Sequence, residues 1–127
     1  METARRCPTV LLIDDDPDIL KLMEYVFADE DYRLVTCRTP DEGFQVLSNG
    51  DVDCVLLDIH FARTPECLGL LGAVRALPGC DRLPVLATST MHEPEVAARV
   101  LDLGARRFIP KPFYPDEILR ELRTLFH

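Results

Sequence analysis

Val10-Leu11-Leu12-Ile13-Asp14-Asp15-Asp16-Pro17 is the stretch that decides how this chain folds. Four consecutive apolar residues stop at three carboxylates. A half-exposed strand would alternate apolar and polar residues; an unbroken apolar run reads as a strand buried on both faces, the usual state in a parallel sheet. Pro17 fits the first turn of a helix, with Asp15 or Asp16 before it as cap. The segment therefore reads as strand, acidic turn and helix.

The same pattern recurs along the chain. Val55-Leu56-Leu57 ends in Asp58, Val85-Leu86-Ala87 runs into Thr88-Ser89, and Phe108-Ile109 runs into Pro110-Lys111-Pro112. Strands are expected at Thr9–Ile13, Tyr32–Cys37, Val52–Leu57, Pro84–Thr88 and Arg107–Ile109. The first helix carries an apolar stripe of Ile19, Leu20, Leu22, Met23, Val26 and Phe27. The second starts at Thr39-Pro40-Asp41-Glu42, with a hydroxyl cap, an N1 proline and Glu42 three residues after the cap. It turns Phe44, Val46 and Leu47 inward and closes at Ser48-Asn49-Gly50.

A third helix is expected from Leu68 to Leu77, ended by Pro78-Gly79. The fourth opens at Pro94, runs through Val96, Val100, Leu101 and Leu103, and stops at Gly104. The last starts at Pro115-Asp116-Glu117 and carries Ile118, Leu119, Leu122 and Leu125. Five strands alternating with five helices imply an α/β fold with a doubly wound parallel sheet. Ligands bind such sheets beyond the carboxyl ends of the strands. The polar stops lie at those ends.

Length and composition limit what this edge can serve. With 127 residues, the chain is long enough for one domain with its own core. No apolar stretch approaches the roughly 18 residues needed to span a membrane, and Met1–Pro8 lacks a signal-peptide core, so the chain reads as cytoplasmic. The formal net charge of −8 disfavours a nucleic-acid surface. Five cysteines, an odd number without a Cys-x-x-Cys pair, suggest neither a disulfide framework nor a zinc site. Cys37 and Cys54 read as small core residues, and Cys67 and Cys80 fall in loops. Asp29–Asp31 reads as a solvated helix end.

The edge itself carries chemistry. Adjacent carboxylates such as Asp14 and Asp15 raise each other's pKa and cost stability unless a cation joins them. Magnesium takes one or two carboxylates, keeps several waters and accepts phosphate oxygens. Asp58 could complete such a site or act as a nucleophile toward phosphorus. Ser89 could hydrogen-bond a phosphoryl oxygen and Lys111 could neutralise its charge. Taken singly, each has a plainer reading: an Asp as helix cap, a loop hydroxyl, an exposed lysine. Their convergence on one sheet edge favours the functional reading.

These segments together resemble the receiver domain of two-component response regulators. They are Leu11–Pro17, Val55-Leu56-Leu57-Asp58-Ile59, Leu83-Pro84-Val85-Leu86 with Ser89, and Gly104-Ala105 followed by Lys111-Pro112-Phe113. The resemblance covers residues 1–127 as one receiver domain. It implies a flavodoxin-like, five-stranded parallel sheet of order 2-1-3-4-5 with five helices. Asp58 would accept a phosphoryl group from a sensor histidine kinase or phosphotransfer protein. Asp14, Asp15, Asp58 and the backbone carbonyl of His60 would hold Mg²⁺.

The resemblance also makes Ser89 the switch hydroxyl, Phe108 the switch aromatic and Lys111 the conserved-type lysine, with a cis Lys111-Pro112 bond. The face formed by the fourth helix, fifth strand and fifth helix would change affinity for an output domain or downstream protein. The chain would act as a monomer or weak homodimer, without nucleic acid or membrane. It would not be an enzyme beyond self-directed phosphotransfer and autodephosphorylation.

Three departures from the family pattern lie beside the site. Pro65 and Gly69 look like family markers displaced by three positions, which implies a longer loop over His60–Leu68. Thr90 stands where a small residue is common and should narrow the approach. His60 could orient water, pair with phosphate or sit at the surface. Two rival readings follow: a pseudo-receiver used only for protein binding, and a haloacid-dehalogenase-type phosphatase using the Asp-x-Asp of Asp14–Asp16. The phosphatase would need a further acidic motif on another strand after Lys111, where Asp116 follows instead in a helix start.

Overall fold

Alternation along the strands sorts the core into two layers. Val10, Leu12, Cys54, Leu56, Leu86 and Ile109 pack with Met23, Phe27, Ile118, Leu119 and Leu122. Leu11, Ile13, Val55, Leu57, Val85 and Ala87 pack with Leu47, Val74 and Val100. Neighbouring strand residues point to opposite faces, and both faces are covered, so the strands must be apolar throughout.

The computed structural model describes residues 7–59, 72, 74–77, 79–80, 82–90 and 94–126. Its strands are β1 (Thr9–Ile13), β2 (Arg33–Cys37), β3 (Cys54–Asp58), β4 (Val85–Ser89) and β5 (Arg107–Pro110). All pair in parallel, in the order β2-β1-β3-β4-β5. The helices are α1 (Pro17–Phe27), α2 (Pro40–Ser48), the helical residues 72 and 74–76 (α3), α4 (Pro94–Asp102) and α5 (Pro115–Phe126). The first core layer lies under α1 and α5, the second under α2, α3 and α4. The doubly wound α/β sheet expected from the alternation is present, in the order that the family resemblance implies.

Several boundaries shift, and the shifts matter at the site. β3 begins at Cys54 rather than Val52 and includes Asp58, while β4 runs from Val85 to Ser89 and β5 extends to Pro110. The ladder continues one residue past the apolar run because the backbone partners are in place. Ile59 N–H donates to Thr88 O at 2.7 Å, and Lys111 N–H donates to Ser89 O at 2.7 Å. β2 starts at Arg33, one residue after Tyr32.

Leu22 and Leu101, counted in helix stripes by sequence, are 41% and 45% exposed. Each is one residue from a buried position, Met23 or Val100, and one helical step turns a side chain by about 100°. The helix starts follow their capping residues. Asp16 is the N-cap of α1, its Oδ1 accepting from Asp18 N–H at 2.9 Å. At α2, Thr39 Oγ1 accepts from Glu42 N–H at 3.2 Å. Glu42 Oε1 reaches back to Arg38 N–H at 2.8 Å, one residue earlier than the usual capping box.

Gly43 lets α2 approach β1, since a Cβ there would fall 2.3 Å from Ile13 Cδ1. Cys37 and Cys54 are buried in the core, as expected, and Cys80 is half-buried. His60, the His60–Leu68 loop, Cys67, Gly69 and the start of the Leu68–Leu77 helix lie outside the described residues.

Candidate functional site

Strand parity brings the charged residues together. Asp58 ends β3 on the same parity as Cys54 and Leu56, and Asp14 continues the parity of Val10 and Leu12 just past β1. Lys111 continues that of Arg107 and Ile109 past β5. All three therefore belong to the α1/α5 side of the sheet, at its carboxyl edge. The side chains meet there. Lys111 Nζ lies 2.9 Å from Asp14 Oδ2 and 2.9 Å from Asp58 Oδ1.

Asp14 and Asp58 are almost fully buried. Buried carboxylates need partners. Asp14 has them on both oxygens, because Oδ1 accepts from Asp16 N–H at 2.9 Å while Oδ2 takes Lys111. Its own N–H donates to Cys37 O at 3.0 Å, which fixes the acidic turn to β2. Burial alone pulls the Lys111 pKa down, but the hydrogen bonds and charges of Asp14 and Asp58 outweigh it and hold it above its ordinary value. The ammonium therefore stays charged throughout the neutral range.

Asp15 is exposed, yet one of its carboxylate oxygens groups with one each from Asp14 and Asp58, all within 4.8 Å of one another. Among the described residues this is a set of hard oxygen donors without thiol or imidazole, the donor chemistry that suits Mg²⁺. Asp16, the third of the triplet, turns away to cap α1.

Ser89 is fully buried at the end of β4 and has the opposite parity, that of Val85 and Ala87. Phe108 shares that side, half-buried against the core layer under α2, α3 and α4. The sequence-predicted residues thus fall on two sides of the sheet. The charged triad is at the carboxyl edge toward α1 and α5. Ser89 is at that edge on the side of α2, α3 and α4, with Phe108 two register positions further in. The Lys111-Pro112 peptide bond is cis, as the resemblance implies. Thr90 is exposed at the end of β4.

One neighbour escaped the reading of the sequence. Thr88, treated there as a strand end, is in direct register with Asp58 and is buried. Its parity with Leu86 was the available signal.

Known proteins similar to this chain are numerous. A family model described as the response regulator receiver domain matches residues 10–123. The transcriptional regulatory protein KdpE of Mycobacterium tuberculosis is 31% identical over 117 residues, 91% of this chain and 49% of the relative. The cell cycle response regulator CtrA of Brucella ovis is 30% identical over 118 residues, again 91% of this chain and 49% of the relative. The chain spans about half the length of these curated relatives.

Solved structures agree on the fold. The chemotaxis protein CheY4 of Vibrio cholerae aligns with a TM-score of 0.82 at 23% identity, over 93% of this chain and 98% of its own. A response regulator protein from Burkholderia multivorans aligns with a TM-score of 0.81 at 27% identity, over 95% and 96%. A family match over nearly all of the sequence thus joins a 2-1-3-4-5 parallel sheet and an acidic strand-end cluster: the chain belongs to the receiver-domain family of two-component response regulators.

Proposed function

We propose that residues 1–127 form one receiver domain that accepts a phosphoryl group on Asp58 from a sensor histidine kinase or phosphotransfer protein. The observation that carries this reading is the buried Asp58 carboxylate held 2.9 Å from Lys111 beside two further carboxylates. Asp14, Asp15 and Asp58, with the backbone carbonyl of His60 as the family implies, would hold Mg²⁺. When bound, that ion offsets the negative charge of the carboxylates and of an incoming phosphoryl group.

The protein's own residues account for the remainder. An Asp58 carboxylate oxygen attacks phosphorus and forms an acyl phosphate, while the bond from phosphorus to the donor breaks and the donor keeps its electron pair. Lys111 supplies a fixed positive charge for the phosphoryl oxygens, at no reorganisation cost because it is already held in place. Ser89 then donates its hydroxyl to a phosphoryl oxygen, and Phe108 moves into the space given up. The face of α4, β5 and α5 changes its population of conformers and its affinity for an output domain or downstream protein.

No helix among the described residues is long and apolar enough to cross a membrane. A cytoplasmic domain without nucleic-acid contact, acting as a monomer or weak homodimer, is the reading consistent with this activity and with the net charge of −8. Autodephosphorylation would be its only hydrolytic reaction. The test is labelling by acetyl phosphate with Mg²⁺: the wild type should take up one phosphoryl group and Asp58→Asn none. Equal labelling of the two would remove Asp58 from this role.

A further inference from the structure

Arg75, on α3, holds three backbone carbonyls from two other parts of the chain. Its Nη1 donates to Cys80 O at 3.2 Å and to Leu83 O at 2.6 Å, and its Nη2 donates to Gly104 O. Cys80 and Leu83 lie on the approach to β4, and Gly104 lies just past the end of α4. All of this is at the amino-terminal edge of the sheet, opposite the acidic site.

The end of α4 is built around that contact. Ala105 N–H donates to Val100 O at 3.2 Å and Gly104 N–H to Leu101 O at 3.0 Å, the paired bonds of a Schellman turn. Gly104 has φ +105°, a backbone conformation that favours glycine. A Cβ there would also fall 3.0 Å from Arg75 Nε, so the glycine serves the guanidinium as well as the turn. The turn satisfies carbonyls inside the helix, and Arg75 satisfies the one that follows it. A guanidinium is suited to this, being always charged, planar and able to fork between acceptors, and its charge suits the negative end of a helix.

We infer that Arg75 is the hinge pin of α4: it ties the carboxyl-terminal end of that helix to α3 and to the entrance of β4. In this parallel topology α4 runs from the site edge back to the opposite edge, its first residue, Pro94, coming five positions after Ser89. With the far end pinned, displacement of α4 is confined to the end that adjoins the site. The switching half of this inference rests on the proposed function; the pin does not.

Amide hydrogen exchange on the full chain tests both halves, with wild type and Arg75→Met, each with and without Mg²⁺ and beryllofluoride. Without ligand, Arg75→Met should speed exchange over residues 100–106 by about tenfold or more, the effect of losing charged hydrogen bonds on local opening. Exchange within about twofold of wild type there would overturn the pin. With beryllofluoride, the wild-type response should be confined to residues 94–98 of α4 and should spread to residues 100–106 in the variant. An identical pattern in both proteins would overturn the confinement. A wild type without any response would count against the proposed function and leave the unliganded comparison to judge the pin. Arg75→Gln, which keeps part of the stem and one donor group, replaces Arg75→Met if that variant does not fold.

Discussion

Asp58, at the end of β3, and Lys111, just past β5, are joined across the intervening strand β4, with Nζ 2.9 Å from Oδ1. The same ammonium reaches Asp14. One cation therefore joins the ends of three strands and offsets two buried carboxylates that would otherwise repel each other.

Lys111→Met leaves those carboxylates without their shared cation. The variant should lose about 1–3 kcal/mol of stability in chelator, and Mg²⁺ should restore more stability to it than it adds to wild type. Urea unfolding with and without Mg²⁺ measures both terms. Equal Mg²⁺ effects in the two proteins would separate Lys111 from the proposed metal site.

The Asp triplet divides by role. Asp16→Ala should cost about 1 kcal/mol through loss of the α1 cap and leave Mg²⁺ affinity unchanged. Asp15→Asn should change stability by less than about 0.5 kcal/mol, because the side chain is exposed, and weaken Mg²⁺ by about tenfold. Thermal melts and Mg²⁺ titrations decide, and the reverse pattern would reassign the two residues.

Ser89→Ala should still be labelled at Asp58, because Lys111 and the carboxylates remain. It should lose the structural response proposed to follow phosphorylation around α4 and Phe108. Nuclear magnetic resonance shift changes of α4 amides, with and without beryllofluoride, measure this; a full response in the variant would remove Ser89 from the switch.

Burial pushes the Cys54 thiol from its ordinary 9.0 up to about 12, and raises Cys37 as well, with Glu42 adding to the latter. Both pKa values are higher folded than unfolded. The Cys54 contribution is therefore complete below pH 9 and is lost as pH rises from about 9 toward 12, and the Cys37 contribution falls in the same direction above pH 9. At about pH 8.5 iodoacetamide should modify exposed Cys7 in the native protein and reach Cys37 and Cys54 only in urea. Peptide mapping checks the order; native labelling of Cys54 would contradict its burial.

Much of this molecule is legible in its sequence, for definite reasons. Runs such as Val10–Ile13 require a strand covered on both faces, and the Pro17 and Pro40 starts fix where helices begin. The acidic and lysine stops locate the site because parallel strands share one carboxyl edge. What sequence misplaces is decided by partners. β3 and β4 each run one residue further because neighbouring strands supply the bonds, and this carries Asp58 and Ser89 into the sheet. The register of Thr88 with Asp58 and the three carbonyls gathered by Arg75 depend on chain brought from afar, which local pattern does not encode.

The measurement that bears most directly on the central claim is reductive trapping of an acyl phosphate. Protein treated with acetyl phosphate and Mg²⁺, then reduced with borohydride and mapped by mass spectrometry, should show homoserine at position 58 and at no other aspartate. Reduction at Asp14 or Asp15 instead, or none at any position, would contradict the account.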